Sequence, residues 1–289
     1  MNVAIDRFAR FRALHHGERP LFLPNAWDHA SASALMARGF TAIGTTSLGV
    51  AAAAGKPDGE AATREETVRL AEGLARLPAL ISVDIEGGFS DDPGRVAALA
   101  AGLAEAGVAG VNIEDGRADG TLTPPGRQCA LITAIKQAVP GLFVNARTDT
   151  YWLGGGDPPS PRTTMDRAEA YLQAGADGIF VPGLDDERVI TTLACGLDAP
   201  LNILFTPGGA SFRRLAALGV RRVSCGSLLF RAAVHNAVEL AWAVANDDVV
   251  PAGLPSYAQT QALASAFDAP SPASARPARS VFRGERGAR

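Results

Sequence analysis

Acidic side chains follow two apolar runs of the sequence at the point where each run ends. Asp84 and Glu86 come after LISV, and Glu114 comes after GVNI. Side chains alternate along a strand, so Asp84 and Glu86 are expected to share a face, and a neighbouring strand about 4.8 Å away would place Glu114 at the same rim. Carboxylates this close raise one another's pKa values unless a cation neutralises them. The pattern predicts a site for Mg²⁺, or for Mn²⁺ in its place, with helix-capping acids as the alternative.

A basic side chain follows another apolar run, in the segment NARTD, where it is Arg147. A buried arginine requires an anion, and its planar fork matches a carboxylate bidentately. Arg147 is therefore a candidate for binding an acidic ligand. The alternative is an ion pair within the protein, with Glu114 or Asp149.

Small polar residues end a further run, in GTTSLG. Thr45, Thr46 and Ser47, followed by Leu48, offer hydroxyl groups and backbone amides that can cradle a second carboxylate. Asp58 lies nearby in GKPDGE, a Gly- and Pro-rich turn in which aspartate commonly forms a structural Asx-turn.

Eight short apolar runs alternate with segments whose apolar residues recur at helical spacing. These strands and helices are expected to position the polar groups named above. Four of the runs follow a glycine suited to end a helix, namely Gly39, Gly107, Gly175 and Gly219. Most runs are continuously apolar, which is typical of parallel strands buried on both faces. This order predicts an α/β fold, a (β/α)₈ TIM barrel, with functional groups at the carboxyl ends of the strands. An open doubly wound sheet is disfavoured because no GxGxxG follows the first run.

The pattern also predicts where the barrel ends. We assign residues 1–250 to the barrel and residues 251–268 to a C-terminal helical segment. The remaining residues, 269–289, contain five arginines and one glutamate among Pro, Ala and Ser. Such a tail cannot bury enough apolar surface to offset the entropy of ordering, so we expect it to be disordered, with a role in subunit contacts as the alternative.

The amino-acid composition limits the kinds of molecule that the protein is expected to bind and the compartment in which it is expected to lie. A net charge of -3 with 47% hydrophobic residues favours a globular protein without attraction to nucleic acid, and a small, weakly acidic or neutral partner. The three cysteines are scattered, which favours reduced thiols and a cytoplasmic location. Neither an apolar signal region at the amino terminus nor an uninterrupted apolar run of about 18 residues is present, so no export signal or membrane span is predicted.

The ordered set GTTSLG, GKPDGE, VDIEGGF, NIEDG and NARTD resembles the active-site series of the isocitrate lyase and phosphoenolpyruvate mutase superfamily. The resemblance extends from PNAWDHASA to SCGSLLFRA, nearly the whole chain. It implies a (β/α)₈ barrel whose eighth helix is exchanged between subunits of a homodimer or a homotetramer. The segment SYAQTQALASAF, residues 256–267, is the candidate for the exchanged element.

The resemblance also implies roles for particular residues. It implies that Asp84, Glu86 and Glu114 bind Mg²⁺, with Asp58 nearby as a catalytic residue. A 2-oxo acid or its enolate would contact the metal, the catalytic and substrate-binding Arg147, and a binding set comprising Thr45, Thr46, Ser47, Leu48 and Asn202.

Departures from the superfamily pattern reduce the number of reactions that this chain is expected to catalyse. The lyases carry a KxCGH-type loop after the fourth strand, but the corresponding DGRADGTLTPPGRQCALI has no such motif and Cys129 falls too late. The mutases use a histidine where this chain has Pro182, and the lyases use glutamates where it has Gly183 and Phe205.

The leading hypothesis is a Mg²⁺-dependent carbon–carbon lyase or decarboxylase that acts on a small 2-hydroxy or 2-oxo di- or tricarboxylate through an enolate. Stabilisation of charge that develops in the transition state is the chemistry the retained residues can supply. The alternatives are mutase-type chemistry on phosphonates or phosphoenolpyruvate, and a non-catalytic barrel that binds a 2-oxo acid.

Overall fold

The structure, a computed structural model, describes residues 3–153 and 160–267. The tail at residues 269–289, for which disorder is expected, lies outside the described residues. All three cysteines are free thiols, as the sequence predicts.

The strands form one parallel sheet that closes into a barrel. Its order is β1-β9-β8-β7-β6-β5-β4-β3-β2, and β1 and β2 are the two halves of the first apolar run, interrupted at Pro24. Because β1 pairs with β9 and β2 pairs with β3, the two halves together close the ring, and the predicted (β/α)₈ barrel is confirmed. The strands are β1 (Leu21–Leu23), β2 (Asn25–Ala26), β3 (Ala42–Thr45), β4 (Leu80–Asp84), β5 (Gly110–Glu114), β6 (Phe143–Arg147), β7 (Gly178–Val181), β8 (Leu201–Leu204) and β9 (Arg222–Ser224).

Helices alternate with the strands. The four glycines expected to end helices or helical turns have φ values from 90° to 116°, a region that side chains with a Cβ rarely adopt. The helices are α1 (Val3–Leu14), α2 (His29–Ala37), α3 (Ser47–Ala53), α4 (Arg64–Leu74), α5 (Pro93–Ala106), α6 (Pro125–Ala138), α7 (Pro161–Gln173), α8 (Glu187–Gly196), α9 (Phe212–Ala217), α10 (Leu228–Ala245) and α11 (Tyr257–Ala262), with a 3₁₀ turn at Leu263–Phe267.

Helix α1 closes the amino-terminal end of the barrel. Its Phe11 packs with residues that begin strands, including Leu80 and Phe143. His15 stacks on Phe143 with ring centroids 4.1 Å apart, and its Nδ1 donates a hydrogen bond of 2.9 Å to the carbonyl oxygen of Phe11. Apolar burial at this end leaves the opposite, carboxyl end of the strands as the open mouth.

Burial of His15 predicts a pH-dependent stability. Desolvation, with a smaller effect from the charge of Arg222, lowers the pKa of His15 from 6.5 to about 3. Below about pH 6.5, His15 is therefore protonated in the unfolded chain but stays neutral in the folded protein. The stability that is present above pH 6.5 is lost progressively as the pH falls towards 3. We expect His15 to cost about 2 kcal/mol at pH 5 relative to pH 8.

Urea denaturation of the wild type and of His15→Phe at both pH values measures this contribution. The variant keeps an aromatic ring against Phe143 and removes the titrating group, so its stability should fall less between pH 8 and pH 5. An equal fall in both proteins would contradict the assignment.

Two C-terminal segments that follow the last strand of the barrel, α10 and residues 256–267, lie in different environments. No residue of α10 is buried. The segment at residues 256–267 instead packs on α2 of the same chain, where the Ser33 hydroxyl donates to the carbonyl oxygen of Leu263 at 2.8 Å and the rings of His29 and Phe267 lie 5.1 Å apart. Exchange of this segment between subunits stays a prediction. The helix that no other part of the described chain covers is α10.

Helix α10 is also, among the described residues, the one helix long and apolar enough by length and composition to cross a membrane, with a mean hydropathy of 1.2. It carries Arg231, His235 and Glu239 within its span. Ionisable side chains are costly inside a bilayer.

Candidate active site

A cavity of about 230 Å³ opens at the carboxyl ends of the strands. It brings together most of the side chains singled out from the sequence, although they come from four separate segments of the chain. They are Thr45, Thr46, Ser47, Leu48, Asp58, Asp84 and Arg147.

Asp84 is fixed at the end of β4 by three hydrogen bonds. Its backbone N–H donates to the Thr45 hydroxyl at 2.8 Å. Its carboxylate accepts from the backbone N–H of Glu86 at 3.2 Å and from the Asn112 side-chain amide at 3.3 Å. Asn112 is itself held by Asn145, whose amide donates to it at 2.9 Å. Asp84 is thus held by β3, by the loop that follows β4, and by β5 with support from β6, which sets a defined geometry for a ligand.

Glu86 does not continue the alternation of β4. The strand ends at Asp84, and the backbone at Glu86 adopts a φ of 49°. Its carboxylate is 2% exposed and accepts hydrogen bonds from the Ala61 N–H at 2.9 Å and the Thr63 hydroxyl at 2.7 Å. Because the strand ends before Glu86, alternation along β4 does not set the direction of this side chain, and a face shared with Asp84 stays a prediction.

Left-handed backbone conformations cluster around this loop. Besides Glu86, the non-glycine residues Ala61 and Phe89 have φ values of 58° and 54°. Such conformations cost about 1–3 kcal/mol each and persist where surrounding contacts hold them, often at functional sites. The hydrogen bond from Ala61 to Glu86 is one such contact.

Arg147 is enclosed by two carboxylates. Its Nη1 lies 2.7 Å from Glu114 Oε2, and its Nε and Nη2 donate to Asp149 at 2.6 and 3.1 Å. Burial raises the pKa of Glu114, and Arg147 opposes that rise. The rings of Trp152 and Phe180 each lie 5.8 Å from the guanidinium carbon. The alternative noted from the sequence, an internal ion pair, is thus what the structure contains, and it involves both acidic partners.

A buried network behind Arg147 was not predicted. Asp115 is fully buried and accepts hydrogen bonds from the Tyr171 hydroxyl at 2.6 Å, from Arg167 at 3.0 Å and from the backbone N–H of Asp149 at 2.8 Å. Asp115 therefore holds Asp149, and through it Arg147. Its position directly after Glu114 is the one local signal, since Tyr171 lies 56 residues away along the chain.

Asp58 is exposed at the mouth of the cavity, but its carboxylate is partly withdrawn from solvent. Desolvation raises the pKa of Asp58, a hydrogen bond with the Ser47 side chain lowers it, and the nearby charge of Asp84 raises it. A carboxylate with a raised pKa at the mouth of a cavity is suited to proton transfer.

Two other residues singled out from the sequence lie elsewhere. Asn202 is fully buried inside the barrel, where it exchanges hydrogen bonds with Ser224, and it does not line the cavity. Cys129 lies on α6 and its Sγ contacts the carbonyl oxygen of Ala170 at 3.4 Å. Burial raises the pKa of the Cys129 thiol, which disfavours its thiolate form.

The acidic groups of the site are suited to a hydrated divalent cation. Burial raises the pKa values of Asp58, Glu86 and Glu114, and the nearby charge of Asp84 adds to each rise. Arg147 pairs with Glu114. Within the described part of the chain, no three of these side chains form a ready set of direct metal ligands. Mg²⁺ typically keeps several waters and uses one or two carboxylates, so Asp84 would hold it directly and the others through water. The metal assignment stays a prediction.

The fold and the site define a class of protein: a (β/α)₈-barrel enzyme with an acidic site at the carboxyl ends of its strands. The sequence model described as phosphoenolpyruvate phosphomutase matches residues 11–245, so the chain belongs to this family. Members of the superfamily are carbon–carbon lyases and mutases, which confirms the resemblance seen in the sequence.

Individual relatives agree with this assignment. An uncharacterized protein of Mycobacterium tuberculosis is 46% identical over 87% of this chain and 95% of its own length. An oxaloacetate decarboxylase of Ectopseudomonas mendocina is 32% identical over 78% of this chain and 79% of its own length. A solved structure from Burkholderia cenocepacia J2315, assigned as a lyase/mutase, is 32% identical and has a TM-score of 0.82, covering 91% of this chain and 98% of that chain.

The structure gives a physical reason for one departure from the lyase pattern. Gly183 has a φ of 76°, and a Cβ at this position would lie 2.5 Å from the carbonyl oxygen of Tyr151. A glutamate side chain is therefore excluded. Together with Phe205, this leaves the side of the cavity formed after β6, β7 and β8 largely apolar, with Trp152, Phe180, Pro182, Leu204, Phe205 and Pro207.

Proposed function

We propose that this protein is a Mg²⁺-dependent carbon–carbon lyase or decarboxylase that acts on a small 2-hydroxy or 2-oxo di- or tricarboxylate and leaves an enolate. The observation that carries the proposal is the pair of carboxylates Asp58 and Asp84 at an open cavity, where neither forms an ion pair within the described residues and the neighbouring Arg147 is already shared by Glu114 and Asp149. A bound divalent ion supplies Lewis-acid stabilisation of negative charge on substrate oxygen.

The residues of the chain take complementary roles. The turn from Thr46 to Leu48, at the start of α3, lines the cavity and presents hydroxyl and amide groups to a substrate carboxylate. In a cleavage of a 2-hydroxy acid, the hydroxyl group must lose a proton. The Asp58 carboxylate, held by Ser47 at the mouth, accepts that proton.

The apolar side of the cavity favours one kind of substituent. Trp152, Phe180 and Phe205 offer no hydrogen-bonding partner for a charged group except the indole N–H of Trp152. A substrate with methyl or methylene groups on this side loses less hydration than one with a further charge. Alkyl-substituted malates therefore belong beside oxaloacetate among the candidates.

A coupled assay for pyruvate or glyoxylate release tests the proposal. Oxaloacetate, isocitrate, methylisocitrate and alkylmalates are each supplied with Mg²⁺ and with EDTA. Release above the metal's own background, abolished by EDTA, is the expected result. Full activity after thorough chelation would contradict the metal requirement, and phosphorus NMR that shows interconversion of phosphonopyruvate and phosphoenolpyruvate would favour the mutase instead.

We also propose that the protein assembles as a homodimer, or as a homotetramer built from such dimers, through α10. Val234, Val238 and Trp242 recur every four residues on this helix and are 49%, 59% and 67% exposed. This spacing places them on one face, and the barrel of the same chain does not cover it. Contiguous exposed apolar residues mark interaction sites.

Replacing Trp242 by aspartate should therefore convert the assembly to smaller species, because a charge would be buried in the contact. Light scattering coupled to gel filtration measures the mass. Asn236→Asp adds the same charge on another side of α10 and should leave the mass unchanged. A wild-type protein with the mass of one chain would contradict the proposal.

A further inference from the structure

One buried cation of the barrel takes no part in the site described above. Arg222, the first residue of β9, is 3% exposed and lines the inner part of the cavity. Side chains alternate along a strand, so Arg222 and Ser224 both face the barrel interior. Bulky aliphatic residues usually fill this position in such barrels. A fully enclosed guanidinium here requires an explanation.

The contacts of Arg222 are incomplete. Its Nε donates to the Ser224 hydroxyl at 3.3 Å, and its Nη1 has no hydrogen-bond partner in the part of the chain that the structure describes. Within residues 3–153 and 160–267, no carboxylate lies within ion-pair distance of it, and the charge of Asp84 reaches it without contact. Burial lowers the pKa of Arg222 to about 9, so the group remains charged at neutral pH.

A water molecule would supply the missing hydrogen bond to Arg222 but not a negative charge. Because the Nδ1 of His15 donates to a carbonyl oxygen, its Nε2 is an acceptor, and this atom is also buried without a partner. A single water between His15 Nε2 and Arg222 Nη1 would satisfy both atoms. It would add no negative charge, however, and an isolated buried charge is strongly unfavourable.

The surroundings of Arg222 are suited to a small anion. Ser82, Asn112 and Ser224 also line the cavity. The Ser224 hydroxyl already donates to Asn202, and one Asn112 N–H donates to Asp84. The Ser82 hydroxyl and the second Asn112 N–H are therefore the donors available besides the guanidinium. We propose that Arg222 anchors an anion subsite at the inner end of the cavity, which accepts a single carboxylate group or a small inorganic anion. The subsite does not depend on which reaction the protein catalyses.

Bromide is a suitable probe because it is a small anion with an anomalous diffraction signal. Crystals of the wild-type protein grown or soaked in sodium bromide are expected to show bromide within hydrogen-bonding distance of the Arg222 guanidinium. A guanidinium surrounded only by water at high bromide concentration would overturn the proposal. This measurement needs no variant and no turnover.

Two matched variants test the same site in solution. In Arg222→Met, the dissociation constant for bromide, taken from the rise of Tm, should increase about tenfold or more, as expected when a charge-assisted hydrogen bond is lost. In Arg221→Met, the neighbouring exposed arginine is changed and the response should match the wild type. Equal responses in both variants would overturn the proposal, and the bromide crystals decide the matter if Arg222→Met does not fold.

Malonate distinguishes the two sources of the anion. If malonate displaces bromide from Arg222, the subsite receives one end of a dicarboxylate ligand. If malonate and bromide occupy the cavity together, the subsite serves a separate inorganic anion. Both results support the subsite, and they separate it from the proposed function, which the release assay tests independently.

Discussion

Replacing Asp84 by asparagine is expected to lower kcat by about a thousandfold while the fold remains intact. Asparagine keeps an oxygen that can accept the hydrogen bonds from Glu86 and Asn112, so the local structure should persist. It removes the charge that points into the cavity and that would hold the divalent ion. The loss should therefore fall on catalysis and on metal binding rather than on stability.

Three measurements on Asp84→Asn separate these effects. The release assay gives kcat, electron paramagnetic resonance with Mn²⁺ gives metal affinity, and thermal unfolding gives stability. Asp198→Asn is the matched control, because Asp198 is an exposed carboxylate just before β8, at the amino-terminal end of the barrel. Wild-type turnover by Asp84→Asn would remove Asp84 from the mechanism.

Replacing Arg147 by methionine is expected to lower the free energy of unfolding by about 3–5 kcal/mol, because removal of one member of a buried ion pair leaves the other uncompensated. Here two carboxylates, Glu114 and Asp149, would lose their shared partner. Activity should fall as well, since both groups position the mouth of the cavity.

A second substitution tests the cause of this destabilisation. In Arg147→Met combined with Glu114→Gln, one uncompensated charge is removed, so part of the lost stability should return. Arg214→Met is the control, because Arg214 forms an exposed ion pair with Glu187 and its loss should change the stability little. If urea denaturation shows equal losses for Arg147→Met and Arg214→Met, the buried triad does not stabilise the fold.

The barrel and the carboxylates at its rim followed from the sequence because they depend on local pattern. Apolar runs and helix-ending glycines have fixed periods, and parallel strands bring their carboxyl ends to one edge whatever lies between them. The positions of Asp84 and Glu114 at that edge needed no knowledge of their partners. The free thiols followed in the same way, from the scattered positions of the three cysteines.

The partners of the charged groups depended on the tertiary structure. Arg147 could bind a ligand or pair internally, and only the distances to Glu114 and Asp149 decided between these alternatives. Glu86 turned towards Thr63 because a left-handed residue ended the strand pattern, which alternation could not anticipate.

By itself, therefore, the sequence determined the barrel, the rim that carries the carboxylates and the superfamily. Only the tertiary structure decided which of those charges are paired, that Arg222 is enclosed without a counter-ion among the described residues, and that α10 rather than the segment at 256–267 is uncovered. The physical reason is the distance along the chain over which each kind of interaction acts. Periodicity acts between residues a few positions apart, whereas an ion pair or a buried donor joins residues such as Asp115 and Arg167, 52 positions apart, whose distance is set by the packing of the whole barrel.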